Sequence, residues 1–294
     1  MAPSEKLLVG AAWAAAVALP AVLVPLAGYL VWRAWPAFDG ALFFGDTPPL
    51  DALLRGAPVF DGIWPACLGT LVLVLLACAL AVPLGVASGV YLAESTGFAR
   101  GRTRAAVALA VDVLAGVPSI VMGLFGFALI LLLRRSVAPQ ANTGLLLSAV
   151  CLALLVLPYV ISATRLALEG LPLQLRLTGA SLGLTPEQAI GRILLPAAAP
   201  GIFAGLILAL GRAAEDTAVI LLTGVVANAG NPSSLTGKYE ALPFHIYYLA
   251  AEYQTPAELA QAFASALVLV LLTTALGGAA RALQRRLVRA WSVD

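Results

Sequence analysis

Charge is what this sequence has least of. Only 11% of its 294 residues are Asp, Glu, Lys or Arg, less than half the roughly 25% of an ordinary soluble domain. The 17 Lys and Arg against 15 Asp and Glu leave a net charge of +2, which gives nucleic-acid binding no electrostatic basis. Histidine occurs once, at His245, so a multi-histidine metal site is excluded. The three cysteines, Cys67, Cys78 and Cys151, all lie in apolar runs. Three cannot all pair and none has metal-ligand spacing, so neither a disulfide framework nor a metal site is expected. No Gly-x4-Gly-Lys-Ser/Thr loop is present. Its nearest lookalike, Gly237-Lys238-Tyr239, lacks the correctly spaced glycine and the hydroxyl. No Gly-x-Ser-x-Gly elbow and no His-Glu-x-x-His point to catalysis, so the chain reads as a non-enzyme that binds no cofactor of its own.

What it has instead is apolar length. Hydrophobic residues make up 61% of the chain and its mean hydropathy is +0.97. Disorder is excluded, and a soluble fold could not hide so much apolar surface. Six stretches reach the ~20 residues that a helix needs to cross a bilayer core: about 7–32, 64–91, 105–133, 143–165, 197–226 and 257–280. Their continuous rather than alternating apolar character predicts helices, in which every backbone polar group is satisfied locally. The fold class expected is an all-α integral membrane protein with six transmembrane helices. The first run is too long for a signal-peptide core and is read as a retained span.

Orientation follows from the basic residues in the connections. One side holds Lys6, Arg100, Arg102, Arg104, Arg165, Arg176, Arg192, Arg281, Arg285, Arg286 and Arg289; the other holds Arg33, Arg55, Arg134, Arg135 and Lys238. The richer side is expected to be cytoplasmic, with both termini inside. The outer segments are then about 33–63, 134–142 and 227–256. Trp32, Trp35 and Trp64 flank the first, and Tyr247, Tyr248 and Tyr253 lie in the last, as interfacial anchors or as ordinary loop packing. His245 is placed at the same outer interface, packed or solvated. Gly85/Gly89 and Gly201/Gly205 have the spacing that lets helix backbones approach closely. Pro83, Pro118, Pro158 and Pro200 predict kinks or helix ends.

Between spans four and five, at about 166–196, the sequence predicts a helix–turn–helix outside the membrane. Gly183 suits a left-handed helix end. Thr185 suits an N-cap, Pro186 the first helical position and Gln188 the third, completing a capping box; Glu187 lies between them. Pro196 closes the second short helix before span five. Such an element is either a docking surface for a partner or a plain connection.

Gly183, nine intervening residues, and then Ile193-Leu194-Leu195-Pro196 resembles the second half of the cytoplasmic "EAA" loop of ABC-importer permeases. Leu177-Thr178-Gly179 stands where that family carries Glu-Ala-Ala. Three more segments are similar to PstA-type permeases of phosphate importers: Gly116–Gly126 around Pro118-Ser119, Leu210–Ala218 around Arg212, and Leu242–Ala250 around Pro243 and His245. The resemblance covers about residues 65 to 255. It implies a type I, MetI-like permease fold: an N-terminal span and outer segment over 1–63, then the transmembrane domain over 64–294. It further implies a bacterial inner-membrane location, a homologous second permease, two ATP-binding subunits that use ATP and Mg on a separate chain, and a periplasmic phosphate-binding protein. Through it, Gly183, Thr185, Glu187, Arg192, Ile193, Leu195 and Pro196 become candidates for the ATPase coupling loop. Rival readings are a permease for sulfate, molybdate or phosphonate, and an ion-coupled secondary transporter.

The remaining candidates are charges within predicted spans, which cost roughly 2.5–3.5 kcal/mol each to insert and so call for a reason. Arg212 is followed at three and four residues by Glu215 and Asp216, offsets that share one helix face. A guanidinium suits a tetrahedral oxyanion because its planar fork donates two parallel hydrogen bonds and never deprotonates. Arg212 therefore either lines a translocation path or pairs internally with its neighbours. The family pattern has Gly where this chain has Glu215 and Glu where it has Asp216, so one acid must be neutralised by a proton or by a base on a partner subunit. Asp112 is read as a path residue, a partner for a buried base or a group near the cytoplasmic surface. Ser119 donates either to substrate or back to its own helix.

Overall fold

The computed structural model describes residues 3–55, 57, 59, 62–94 and 98–291, with backbone alone at 3, 4, 6, 7, 54, 98–100, 180 and 287–291. The side chains of Lys6, Arg100 and Arg289, used above for orientation, lie outside the described residues. The described chain is built from helices: α1 (Pro3–Ala34), α2 (Gly40–Phe44), α3 (Pro49–Leu54), α4 (Trp64–Glu94), α5 (Phe98–Ala115), α6 (Ser119–Ser136), α7 (Leu145–Glu169), α8 (Leu173–Ser181), α9 (Pro186–Ala189), α10 (Leu195–Glu215), α11 (Ala218–Thr223), α12 (Leu242–Glu252) and α13 (Pro256–Trp291). Among the described residues, six helical stretches are long and apolar enough to cross a membrane: Leu8–Ala37 (α1 and the turn after it), α4, α6, α7, the continuous run α9–α10, and α13 as far as Arg286.

Two predicted spans are corrected. The stretch 105–133 is not one helix. Pro118 takes an extended conformation, with φ −61° and ψ 142°, because it lacks an N–H and disfavours helix at the residue before it. The chain breaks there into α5 and α6, and only α6 qualifies as a span. The stretch 197–226 ends at Glu215, where Asp216 turns extended with ψ 114°. By contrast Pro83, Pro158 and Pro200 lie inside unbroken helices; neighbouring helices accommodate the lost bonds there.

α7 is the central helix. Gly85 and Gly89 of α4 lie against Val160 and Thr164 of α7, where an added Cβ would stand 2.7 and 2.5 Å from those side chains. Gly201 and Gly205 of α10 lie against Ala167 and Ala163 of the same helix. Both small-residue pairs thus bring a backbone onto α7, and van der Waals packing rather than apolar burial holds helices together in lipid. The core that results includes Leu73, Val74, Ala77, Leu152, Val156, Val160, Ala209 and Ala213. α1 stands apart, its span surrounded by no other element and touching α13 through Tyr29 and Phe263, whose rings meet edge-on at 5.8 Å. Arg33 lies over the Phe263 ring at 5.2 Å, a cation–π contact.

One end of the bundle is closed by the segment between α11 and α12. Val225 pairs with Tyr239, Val226 N–H donates to the Tyr239 carbonyl at 3.0 Å, and Tyr239 is fully buried. Thr70 of α4 accepts from Leu242 N–H at 2.8 Å. The buried Glu240 carboxylate accepts from Gly230 N–H at 2.8 Å and is held above its ordinary range because burial outweighs the backbone bonds from Gly230 and Ala229.

Candidate functional site: a coupling loop and a charged helix break

The loop between α7 and α10 builds its two helices as the sequence predicts and departs at their far end. Gly183 adopts φ +67°, the left-handed conformation that ends α8 at no Cβ cost, and Leu184 N–H returns to the Gly179 carbonyl at 3.1 Å. Thr185 then caps α9. Its hydroxyl accepts from Gln188 N–H at 3.4 Å, and Thr185 N–H donates to the Gln188 side chain at 3.1 Å, so the capping box is present.

Pro196 does not close a separate helix. α9 runs on through a π-helical segment, Ile190–Leu194, into α10. Pro196 has no N–H to give residue 192 and its ring crowds that carbonyl. The wider turn, in which Leu195 N–H reaches back to the Ile190 carbonyl, accommodates both problems. Span five and the distal half of the loop are therefore one continuous helical rod.

That rod is anchored from beneath. Leu168, Leu194 and Ala198 form a buried cluster with Leu171, Leu175, Ile190 and Ile193, and Gly179 seats α8 against Ala189. Arg176 of α8 pairs with Glu94 at the end of α4 and donates to the Leu168 carbonyl at 2.9 Å. Arg104 and Arg165 both reach Glu169, at 3.7 and 2.8 Å. Sequence reading missed the Arg176–Glu94 pair. Its signal was the acid that closes span two, Glu94, against one of the two bases of the loop, 82 residues further on. Of the loop candidates, Gly183, Thr185, Glu187 and Arg192 are exposed, whereas Ile193, Leu195 and Pro196 are half-buried.

The second feature is the break after α10. Ala209, Leu210, Ala213 and Ala214 face the core, while Leu208, Arg212 and Glu215 share the exposed face. Asp216 is corrected from that face: the helix has ended, and its side chain is only 3% exposed. Its carboxylate accepts from Val219 N–H at 2.9 Å, capping α11, and meets the Arg212 guanidinium at 3.4 Å. Asp216 thus ties the end of one helix to the start of the next. Arg212 remains 42% exposed, with most of its five donors unspent. Glu215 has no ion pair among the described residues.

α6 packs against this junction. An added Cβ at Gly123 would stand 3.0 Å from the Ala218 carbonyl, and one at Gly126 would stand 2.5 Å from Cys151 and 2.9 Å from Thr223. The Pro118–Gly126 segment is therefore a packing device. Ser119, at the first turn of α6 and one turn before Gly123, is half-buried. Asp112 is not brought in. It lies exposed on α5, with no side-chain partner among the described residues.

His245 lines a pocket of about 250 Å³ with Leu42, Asn228, Tyr248 and Gln261. Burial lowers its pKa to about 4 against about 6.5 for a free histidine. Between those values the unfolded chain binds the extra proton, so His245 contributes no penalty above about pH 6.5 and destabilises progressively as pH falls toward 4. As the sole histidine, its ring resonances are expected to stay constant from pH 7.5 to 5.5 in an NMR titration. A midpoint near 6.5 would refute its burial.

Residues 81–289 match the family of binding-protein-dependent transport system inner membrane components. The chain is 37% identical over 190 residues to phosphate transport system permease protein PstA 1 of Mycobacterium tuberculosis strain CDC 1551 / Oshkosh, covering 63% of this chain and 59% of that relative's length. It is 31% identical over 265 residues to PstA 2 of Mycobacterium bovis, covering 88% and 82%, and 31% identical over 259 residues to PstA of Xylella fastidiosa strain Temecula1, covering 88% and 85%. Among solved structures, a chain of the inward-facing MetNI methionine ABC transporter superposes with a TM-score of 0.56 at 18% identity, covering 83% of this chain and 99% of that one. The fold is that of the MetI-type importer permeases, and the chain belongs to the family of inner-membrane components of binding-protein-dependent transport systems.

Proposed function

We propose that this chain is the membrane-spanning permease subunit of an ATP-driven inorganic phosphate importer. The observation that carries the reading is the 31% identity to a PstA permease across 88% of the chain. A protein from Mesorhizobium japonicum with the name PstC, 29% identical over 236 residues, supports a second, homologous permease as partner. The assembly then comprises two permeases, two ATP-binding subunits using ATP and Mg, and a periplasmic phosphate-binding protein. It sits in the bacterial inner membrane, with both termini of this chain cytoplasmic.

The charges fit a division of labour. Glu187 and Arg192 face the ATPase, and the rod from Pro186 to Glu215 carries its motion to the 216–217 break. Arg212, Ser119 and Glu215 border the translocation path there, while Asp216 holds Arg212 in place. Glu215 is offset by a base on the second permease. Asp112 belongs to the cytoplasmic approach to the path.

The test is ATP-driven uptake of labelled phosphate into vesicles holding the assembled subunits, with sulfate and molybdate as competitors. Uptake that sulfate or molybdate abolishes would replace phosphate by another oxyanion; uptake without ATP would overturn the importer itself. In the same vesicles Arg176→Gln is expected to lower phosphate moved per ATP hydrolysed several-fold with basal ATPase retained. It frees α4 from the coupling loop at the cost of a charge-assisted bond worth roughly 1.5–3 kcal/mol.

A further inference from the structure

An apolar groove of about 480 Å³ runs between α4, α10 and α13. Cys78 and Pro83 form one wall, Leu206 and Leu210 the second, and Ala279 and Leu283 the third. It opens sideways from the bundle, on spans that cross the membrane. Its lining is apolar throughout, with small residues (Cys78, Ala79, Ala279 and Ala280) between the leucines.

The end of the groove nearer the coupling loop is pinned by Gln284, whose side chain donates to the Pro200 carbonyl at 3.2 Å. Arg286 is three residues beyond Leu283, on the same face of α13 and one turn further along. A helical side chain tilts toward its helix N-terminus, which directs Arg286 toward the Leu283 end of the groove. It is exposed and forms no ion pair among the described residues. The groove walls offer it none: Glu94, paired to Arg176, is the only acid of α4, and Glu215 and Glu258 lie at the far ends of α10 and α13. Arg281 and Arg285 lie on the opposite face of α13.

From this juxtaposition we infer that the groove is a binding site for one anionic phospholipid, its acyl chain along α4, α10 and α13 and its headgroup phosphate on Arg286. A basic side chain between spans at the cytoplasmic level selects anionic headgroups, and the apolar trough supplies the length that a free phosphate ion would not use. The site is independent of what the chain transports.

The test uses the full chain, purified in detergent with the subunits that accompany it and supplied with phosphatidylglycerol or phosphatidylcholine, with bound lipid counted by native mass spectrometry. Wild type is expected to retain phosphatidylglycerol about fivefold more than phosphatidylcholine, the preference that one arginine confers near an anionic headgroup. Arg286→Gln abolishes that preference and Arg281→Gln keeps it. Phosphatidylglycerol with a photoreactive acyl chain labels peptides containing residues 75–83, 206–210 or 276–283. Equal retention of both lipids by wild type, an undiminished preference in Arg286→Gln, displacement of the lipid by millimolar inorganic phosphate, or labelling confined to other peptides would each overturn the assignment. The last result would mean that a helix of another subunit fills the groove.

Discussion

Arg212→Gln is expected to lower ATP-driven phosphate uptake by about tenfold or more, since a lost charge-assisted bond costs roughly 1.5–3 kcal/mol and 1.4 kcal/mol is a factor of ten. The assembled complex should survive, because the guanidinium is 42% exposed and its ion-pair partner among the described residues, Asp216, keeps its bond to Val219 N–H. Arg212→Lys separates charge from shape. A lysine preserves the positive charge but not the planar fork, so partial uptake would indicate charge balance and full loss would indicate bidentate recognition. Glu215→Gly restores the residue that the permease pattern carries there. If Glu215 is offset by a base on the second permease, this change weakens assembly and leaves the Arg212–Asp216 pair intact. Wild-type uptake in Arg212→Gln would leave Arg212 a packing residue.

The spans were legible because lipid imposes one requirement, a continuous apolar run long enough to cross, and composition reports it directly. Their breaks were not. Ala218–Thr223 is as apolar as the helix before it, so the charges at Arg212, Glu215 and Asp216 read as lying within one span rather than at its end; the turn at Asp216 is made by its own carboxylate capping α11. Pro118 was visible as a possible helix end, yet Pro83, Pro158 and Pro200 looked the same, and only packing separates them. The glycine pairs announced close approach without naming a partner. That both meet α7 is a tertiary fact. The capping box was readable because all its members lie within four residues. The Arg176–Glu94 pair spans 82 residues and had no local signature.

Asp216 offers the sharpest separation of roles, because one carboxylate does two things. Asp216→Asn keeps an oxygen to accept from Val219 N–H while removing the charge that meets Arg212. Asp216→Ala removes both. An N-cap replaced by alanine costs roughly 0.5–2 kcal/mol, and Arg212, 42% exposed, stays hydrated without its partner and adds little to that. At about 2–4 °C per kcal/mol for a chain of somewhat smaller size, the thermal midpoint of the purified complex should fall clearly in Asp216→Ala and by less in Asp216→Asn. Transport should separate the two differently. If the pair serves to aim Arg212 into the path, Asn loses nearly as much uptake as Ala while keeping most of the stability. If the carboxylate matters only as a cap, Asn transports as wild type does. The second outcome would detach Arg212 from its neighbour and leave the break after α10 a structural joint alone.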